Sequence, residues 1–128
     1  MSPSELIAAA REAARNSYSP YSHYAVGAAL LCSDGRVFVG TNVENASYGL
    51  TNCAERTAIF SAVAAGARDF AALAIVGGKD APAVPCGACL QVMSEFFRPD
   101  TPIHIATLSG DAVTTRPFRS YFPHTFGL

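Results

Sequence analysis

A layered α/β domain built on one mixed sheet is the fold this 128-residue chain predicts. Three observations carry that expectation. Helical segments alternate with short apolar runs in the order helix, hairpin, helix, strand, helix, strand, strand. An Asp-Gly pair joins the first two apolar runs as a hairpin would. The helical segments open and close on residues that favour helix ends.

Ser2-Pro3-Ser4-Glu5 reads as a helix start: Ser2 caps, Pro3 suits the first helical position and Glu5 completes a capping box. The spacing predicts a helix to about Asn16, with Leu6, Ile7, Ala10 and Ala14 on one face. Ser19-Pro20-Tyr21-Ser22 is a turn or loop. Ala25 to Cys32 and Val37 to Thr41 read as strands, paired across Ser33-Asp34-Gly35-Arg36. Asn42 to Asn52 is polar and aperiodic, a long loop of the kind that is often functional. Cys53 to Ala65 has helical composition and stops before Gly66. Leu73 to Val76 is a short buried strand, and Ala81 to Pro85 a Pro-rich loop. Cys86 to Phe97 is a further helix, ended near Pro99. Ile103 to Leu108 is a strand, paired with Ala112 to Thr115, and the tail from Arg116 reads as irregular.

With a mass of 13.4 kDa and 50% hydrophobic residues, the chain suits one domain, residues 1–128, with a substantial core. Only 15% of residues are charged, which suggests that apolar surface is covered by other subunits. The net charge is −1 and the nine Lys and Arg residues form no basic stripe, which argues against nucleic acid as a partner and for a small molecule. No apolar run reaches the roughly 20 residues of a membrane helix, so no membrane partner is expected. The N-terminus has no positive segment followed by an apolar core, so a cytoplasmic location with reduced thiols is expected.

Chemistry concentrates in Cys53-Ala54-Glu55 and Pro85-Cys86-Gly87-Ala88-Cys89. Both Cys53 and Cys86 fall at helix starts, where free N–H groups and partial positive charge favour the thiolate. The C-x-x-C spacing sets Cys86 and Cys89 on one helical turn. A C-x-x-C pair alone also serves a structural zinc site or a redox pair. A structural site needs a fourth ligand, and the candidates are poor. Cys32 reads as a small buried hydrophobe, and His23, His104 and His124 lack ligand-like spacing. A redox pair leaves Cys53 and Glu55 without a use. Three thiolates around Zn²⁺ leave a fourth position open, with Glu55 at hand to move protons. They also leave an excess negative charge, which Arg56 can offset by hydrogen bonding to the sulfurs.

Cys-Ala-Glu followed by Pro-Cys-x-x-Cys resembles the zinc-dependent deaminases. With Pro20-Tyr21-Ser22, Val26-Gly27-Ala28-Ala29, Asn42 to Tyr48 and Cys53-Ala54-Glu55-Arg56, the chain is similar to the small homotetrameric cytidine deaminases, from about Leu6 to Phe126. The resemblance implies a three-layer α/β/α sandwich and a homotetramer with shared active sites. Its implied reaction is the hydrolytic deamination of cytidine and 2′-deoxycytidine in pyrimidine salvage. It implies zinc on Cys53, Cys86 and Cys89, Glu55 as proton shuttle, and Asn42 and Glu44 on the ribose 3′-hydroxyl. It sets the Ala54 backbone on the pyrimidine and Tyr24, where the family usually has Phe, near base and sugar. Ala46 and Tyr48 would come from one neighbouring subunit and Phe126 from another. Relatives mostly carry Cys-Arg-Gln where this chain has Cys89-Leu90-Gln91, so a charge near the metal or an interface is missing. The chain also ends at Leu128, without a longer tail. Two other readings are a deaminase of modified cytidines or another aminated heterocycle such as blasticidin, and a non-catalytic zinc-stabilised interaction module.

Overall fold

The computed structural model describes all 128 residues. Helix α1 (Pro3–Ala14) begins on the expected capping box, with the Ser2 hydroxyl accepting the Glu5 N–H and the Glu5 carboxylate accepting the Ser2 N–H. It stops at Ala14 rather than Asn16, because the N–H groups of Arg15, Asn16 and Ser17 turn back to carbonyls three residues earlier. Strands β1 (Val26–Cys32) and β2 (Val37–Thr41) form the hairpin, followed by a loop with a short 3₁₀ turn at Tyr48–Leu50. Helix α2 (Ala54–Ala64), strand β3 (Phe70–Gly77), helix α3 (Gly87–Phe96) and strands β4 (Pro102–Ala106) and β5 (Thr114–Pro117) complete the core.

The five strands form one sheet in the order β2-β1-β3-β4-β5. Only β3 and β4 are parallel, and α3 makes the crossover between them. The sheet is therefore mixed, as expected. Its two faces differ in the size of their side chains. Ala29, Ala72, Ala74, Val76 and Ala106 meet Leu6, Ile7 and Ala10 of α1. Leu30, Leu73, Ile75, Ile103 and Ile105 face the other way, onto Ile59 of α2 and Met93 of α3. The result is the three-layer α/β/α arrangement.

Four further expectations change. Strand β3 starts at Phe70, because Phe70 and Ala72 extend the ladder against Cys32 and Leu31. Strand β4 ends at Ala106, not Leu108, and β5 spans Thr114–Pro117 rather than 112–115. The tail is not irregular throughout: Phe118–Tyr121 is a short helix, α4. Phe118 anchors it, only 3% exposed and edge-on to Phe97 at 5.8 Å. His104, buried on β4, shares a 2.8 Å hydrogen bond with the Thr115 hydroxyl, a packing role.

Two glycines set the distance of the helices from the sheet. A β-carbon on Gly27 would overlap the Ala10 carbonyl oxygen of α1, and one on Gly40 the Ala54 carbonyl oxygen of α2. Both obstacles are backbone and cannot swing aside. Gly27→Ala and Gly40→Ala are each expected to cost about 1–3 kcal/mol in urea unfolding, the usual range for overpacking. Gly40→Ala should also weaken metal binding, because α2 begins at the thiol cluster; equal metal affinity in the two variants would contradict this.

Candidate active site

Cys53 and Cys86 are the N-cap residues of α2 and α3, and neither side chain makes a capping hydrogen bond. Both thiols are therefore free to face inward. The sulfurs of Cys53 and Cys86 lie 3.8 Å apart, and those of Cys86 and Cys89 3.5 Å. Tetrahedral zinc with bonds of about 2.3 Å spaces its sulfur ligands about 3.8 Å apart. The three thiols therefore fit one zinc ion. Cys32 is buried elsewhere, and no histidine joins the group.

The electrostatics favour a thiolate first at Cys53. A hydrogen bond from Cys89, aided by Arg56, brings its pKa down to about 5. The same hydrogen bond, with burial, pushes Cys89 up. Metal binding at Cys89 therefore expels a proton. Arg56 Nη2 donates to Cys53 Sγ at 3.2 Å, while its buried Nε has no partner within the chain. Glu55, 4% exposed in the first turn of α2, has its pKa raised to about 7, chiefly by burial. It is thus shared between acid and carboxylate near neutral pH.

Asn42, Val43 and Glu44 form a short extended ribbon. Val43 bridges Asn52, just before Cys53, through paired backbone hydrogen bonds of 3.0 Å, and Glu44 N donates to Tyr18 O. Alternation along the ribbon turns Val43 outward and buries Asn42 and Glu44, each 8% exposed. Asn42 Oδ1 accepts the Ser17 hydroxyl and the Val26 N–H, and Nδ2 donates to Tyr24 O. Glu44 Oε1 accepts the N–H groups of Tyr21 and Ser22, and Oε2 accepts the Ser22 hydroxyl. The Ser22 hydroxyl leads these donors in holding the Glu44 carboxyl below its ordinary pKa.

Between the ribbon and the thiols lies a cleft of about 520 Å³. Tyr24, Asn42, Glu44, Cys53, Ala54, Glu55 and Cys86 all line it, bringing together most of the residues expected at the site. The sequence reading missed the apolar wall of Val26, Pro82, Ala83 and Val84. The Pro-rich segment directly before Cys86 was its available signal. Three expected residues stand apart. Ala46 and Phe126 do not line the cleft, and Phe126 is 68% exposed. Tyr48, 74% exposed, lines an adjoining hollow of about 380 Å³ that shares Glu44 and Ser22 with the cleft. Leu90 is a core residue at 9% exposure and does not line the cleft. The difference from Cys-Arg-Gln thus lies beneath α3 rather than at the cleft wall.

Residues 1–104 match the family model described as the cytidine and deoxycytidylate deaminase zinc-binding region. The chain is 54% identical over 106 residues to a cytidine deaminase of Halalkalibacterium halodurans, covering 83% of this chain and 80% of that one. It is 48% identical over 115 residues to that of Sporosarcina psychrophila, covering 90% and 85%. The crystal structure of cytidine deaminase from Burkholderia pseudomallei superposes with a TM-score of 0.93 at 51% identity, over 98% of this chain and all of that one. That from Mycobacterium tuberculosis gives 0.86 at 39% identity, over 100% and 99%.

Metal analysis should find zinc bound stoichiometrically, lost in Cys53→Ala, Cys86→Ala and Cys89→Ala and kept in Cys32→Ala. Arg56→Ala should weaken zinc affinity about 10- to 100-fold in a chelator competition, the usual effect of losing a ligand's hydrogen-bond partner. Unchanged affinity would mean that the Arg56–Cys53 contact does not tune the metal.

Proposed function

Because the chain belongs to the cytidine and deoxycytidylate deaminase zinc-binding family, we propose that it hydrolyses cytidine and 2′-deoxycytidine to uridine and 2′-deoxyuridine with release of ammonia, as one domain spanning residues 1–128. The observation that carries this reading is the placing of a zinc-compatible thiol triangle and a buried glutamate in the same cleft as two polar residues suited to a sugar.

The zinc held by Cys53, Cys86 and Cys89 supplies, when bound, a water of lowered pKa as the nucleophile for C4 of the base. Glu55 carries the protons. Its carboxylate accepts one from the attacking water and gives it to ring N3, then takes the second proton from the same oxygen and delivers it to the amino group, which departs as ammonia. A pKa near 7 suits both directions of transfer. Arg56 steadies the thiolate of Cys53. Ala54 offers its backbone beside the base, and Tyr24 closes the cleft near base and sugar. Asn42 and Glu44 take the ribose 3′-hydroxyl: the remaining Nδ2–H of Asn42 donates to it and the ionised carboxylate of Glu44 accepts from it.

Neither the cleft nor the adjoining hollow is lined by Lys, Arg or His. This chain therefore offers no cation there to a dianionic 5′-phosphate, which favours a nucleoside over a nucleotide as substrate. In an ultraviolet assay, cytidine and 2′-deoxycytidine should be consumed and cytidine monophosphate spared. Glu55→Gln should lower kcat about 100- to 10,000-fold, the range for losing a general acid–base, with zinc content and melting temperature kept. Full activity in that variant would sink the assigned role.

We further propose a cytoplasmic homotetramer acting in pyrimidine salvage, its sites completed by Ala46 and Tyr48 of one neighbour and Phe126 of another. Support comes from the exposure of all three and from a thiol cluster that needs reducing conditions. Light scattering should return four times the chain mass; a monomer with full activity would exclude shared sites.

A further inference from the structure

A side-chain amide offers two acceptor lone pairs and two N–H donors. At Asn42 three of these four are taken within the chain: Oδ1 by the Ser17 hydroxyl at 2.5 Å and the Val26 N–H at 3.0 Å, and one Nδ2–H by Tyr24 O at 2.7 Å. A single Nδ2–H remains for the cleft that Asn42 lines. Two of the three partners are backbone groups. The third, Ser17, sits just beyond α1, its N–H bonded to Ala14 O, and does not line the cleft. Its hydroxyl has one hydrogen. Asn42 Oδ1 only accepts, so that hydrogen goes to Oδ1. Ser19 Oγ is a second acceptor within reach of that hydrogen, at 3.1 Å, and the shorter contact to Oδ1 takes it.

We propose that Ser17 is a positioning residue for substrate binding, clamping the Asn42 amide from behind the cleft so that its remaining N–H meets the sugar hydroxyl. The proposal rests on the reading of Asn42 as a sugar-binding residue. Without the Ser17 hydroxyl, Oδ1 keeps only the Val26 N–H, one buried lone pair loses its partner, and the amide is fixed by two hydrogen bonds instead of three. The loss falls on recognition of the hydroxyl. It spares the chemistry at the base, because Ser17 makes no hydrogen bond to Glu55, Arg56 or the thiols.

The test compares kcat and KM for cytidine and for 3′-deoxycytidine in the zinc-loaded enzyme. Ser17→Ala should raise KM for cytidine about 3- to 10-fold, the worth of one such hydrogen bond, with kcat nearly unchanged. For 3′-deoxycytidine the change should vanish. Ser17→Thr should behave as the wild type, its extra methyl having room in the adjoining hollow of about 480 Å³. Ser17→Val, close to Thr in shape, should behave like Ser17→Ala and keeps the comparison sound if Ala disturbs the fold. Equal loss on both nucleosides would overturn the proposal, as would Thr and Val behaving alike. Asn42→Ala separates this failure from failure of its premise. If that variant does not distinguish the two nucleosides, the sugar reading is wrong. If it does and Ser17→Val does not, Ser17 alone is misassigned.

Discussion

The site depends on two helices beginning at one point. Helices α2 and α3 lie on the same face of the sheet, and each starts on a cysteine whose thiol is not spent on capping. Their N-termini converge closely enough for three sulfurs to form a zinc-sized triangle. That convergence has its own causes. The lack of a side chain at Gly40 lets α2 settle directly onto β2. The parallel pairing of β3 and β4 fixes where α3 must cross. Altering either spacing would shift a ligand without touching the ligand's own chemistry.

Around the triangle, charge is arranged in layers of unequal burial. Thiolates carry negative charge, and Arg56 meets it on the Cys53 side at 3.2 Å. Glu55 is enclosed close by, so burial and the Cys53 charge both resist its ionisation. Glu44 shows the opposite case. It is as enclosed as Asn42, but three donors from Tyr21 and Ser22 hold it ionised. Two carboxylates in one cleft are thereby shifted in opposite directions, which suits the different tasks proposed for them. The residue type is shared, and the local donors make the difference.

Much of this was legible in the sequence because it is written in local patterns. The capping box at Ser2–Glu5, the Asp-Gly hairpin and the two cysteines at helix starts each depend on a few adjacent residues, and each stands in the structure as expected. What was not legible depends on partners distant in the chain. The Phe70 end of β3 is a strand because Cys32 lies beside it, and α4 forms where Phe118 can pack on Phe97. The hydrogen bonds of Asn42 reach to Ser17, Tyr24 and Val26, and no spacing rule announces them. The apolar wall at 82–84 was visible as composition but acquires meaning only once the loop folds over Cys86.

The departure at Leu90 shows how position decides the meaning of a substitution. In the sequence it stands next to a zinc ligand and suggests a change at the metal. In the structure, successive residues of a helix point about 100° apart. Cys89 faces the triangle, and Leu90 packs into the core with Met93 and Ile59. A charged side chain there would have to thread outward past that packing or be buried unpaired, and the second is costly. Leucine avoids the conflict by filling the space. In this chain Leu90 therefore bears on how α3 is seated, and α3 carries Cys89 and starts at Cys86. Leu90 takes no part in the lining of the cleft.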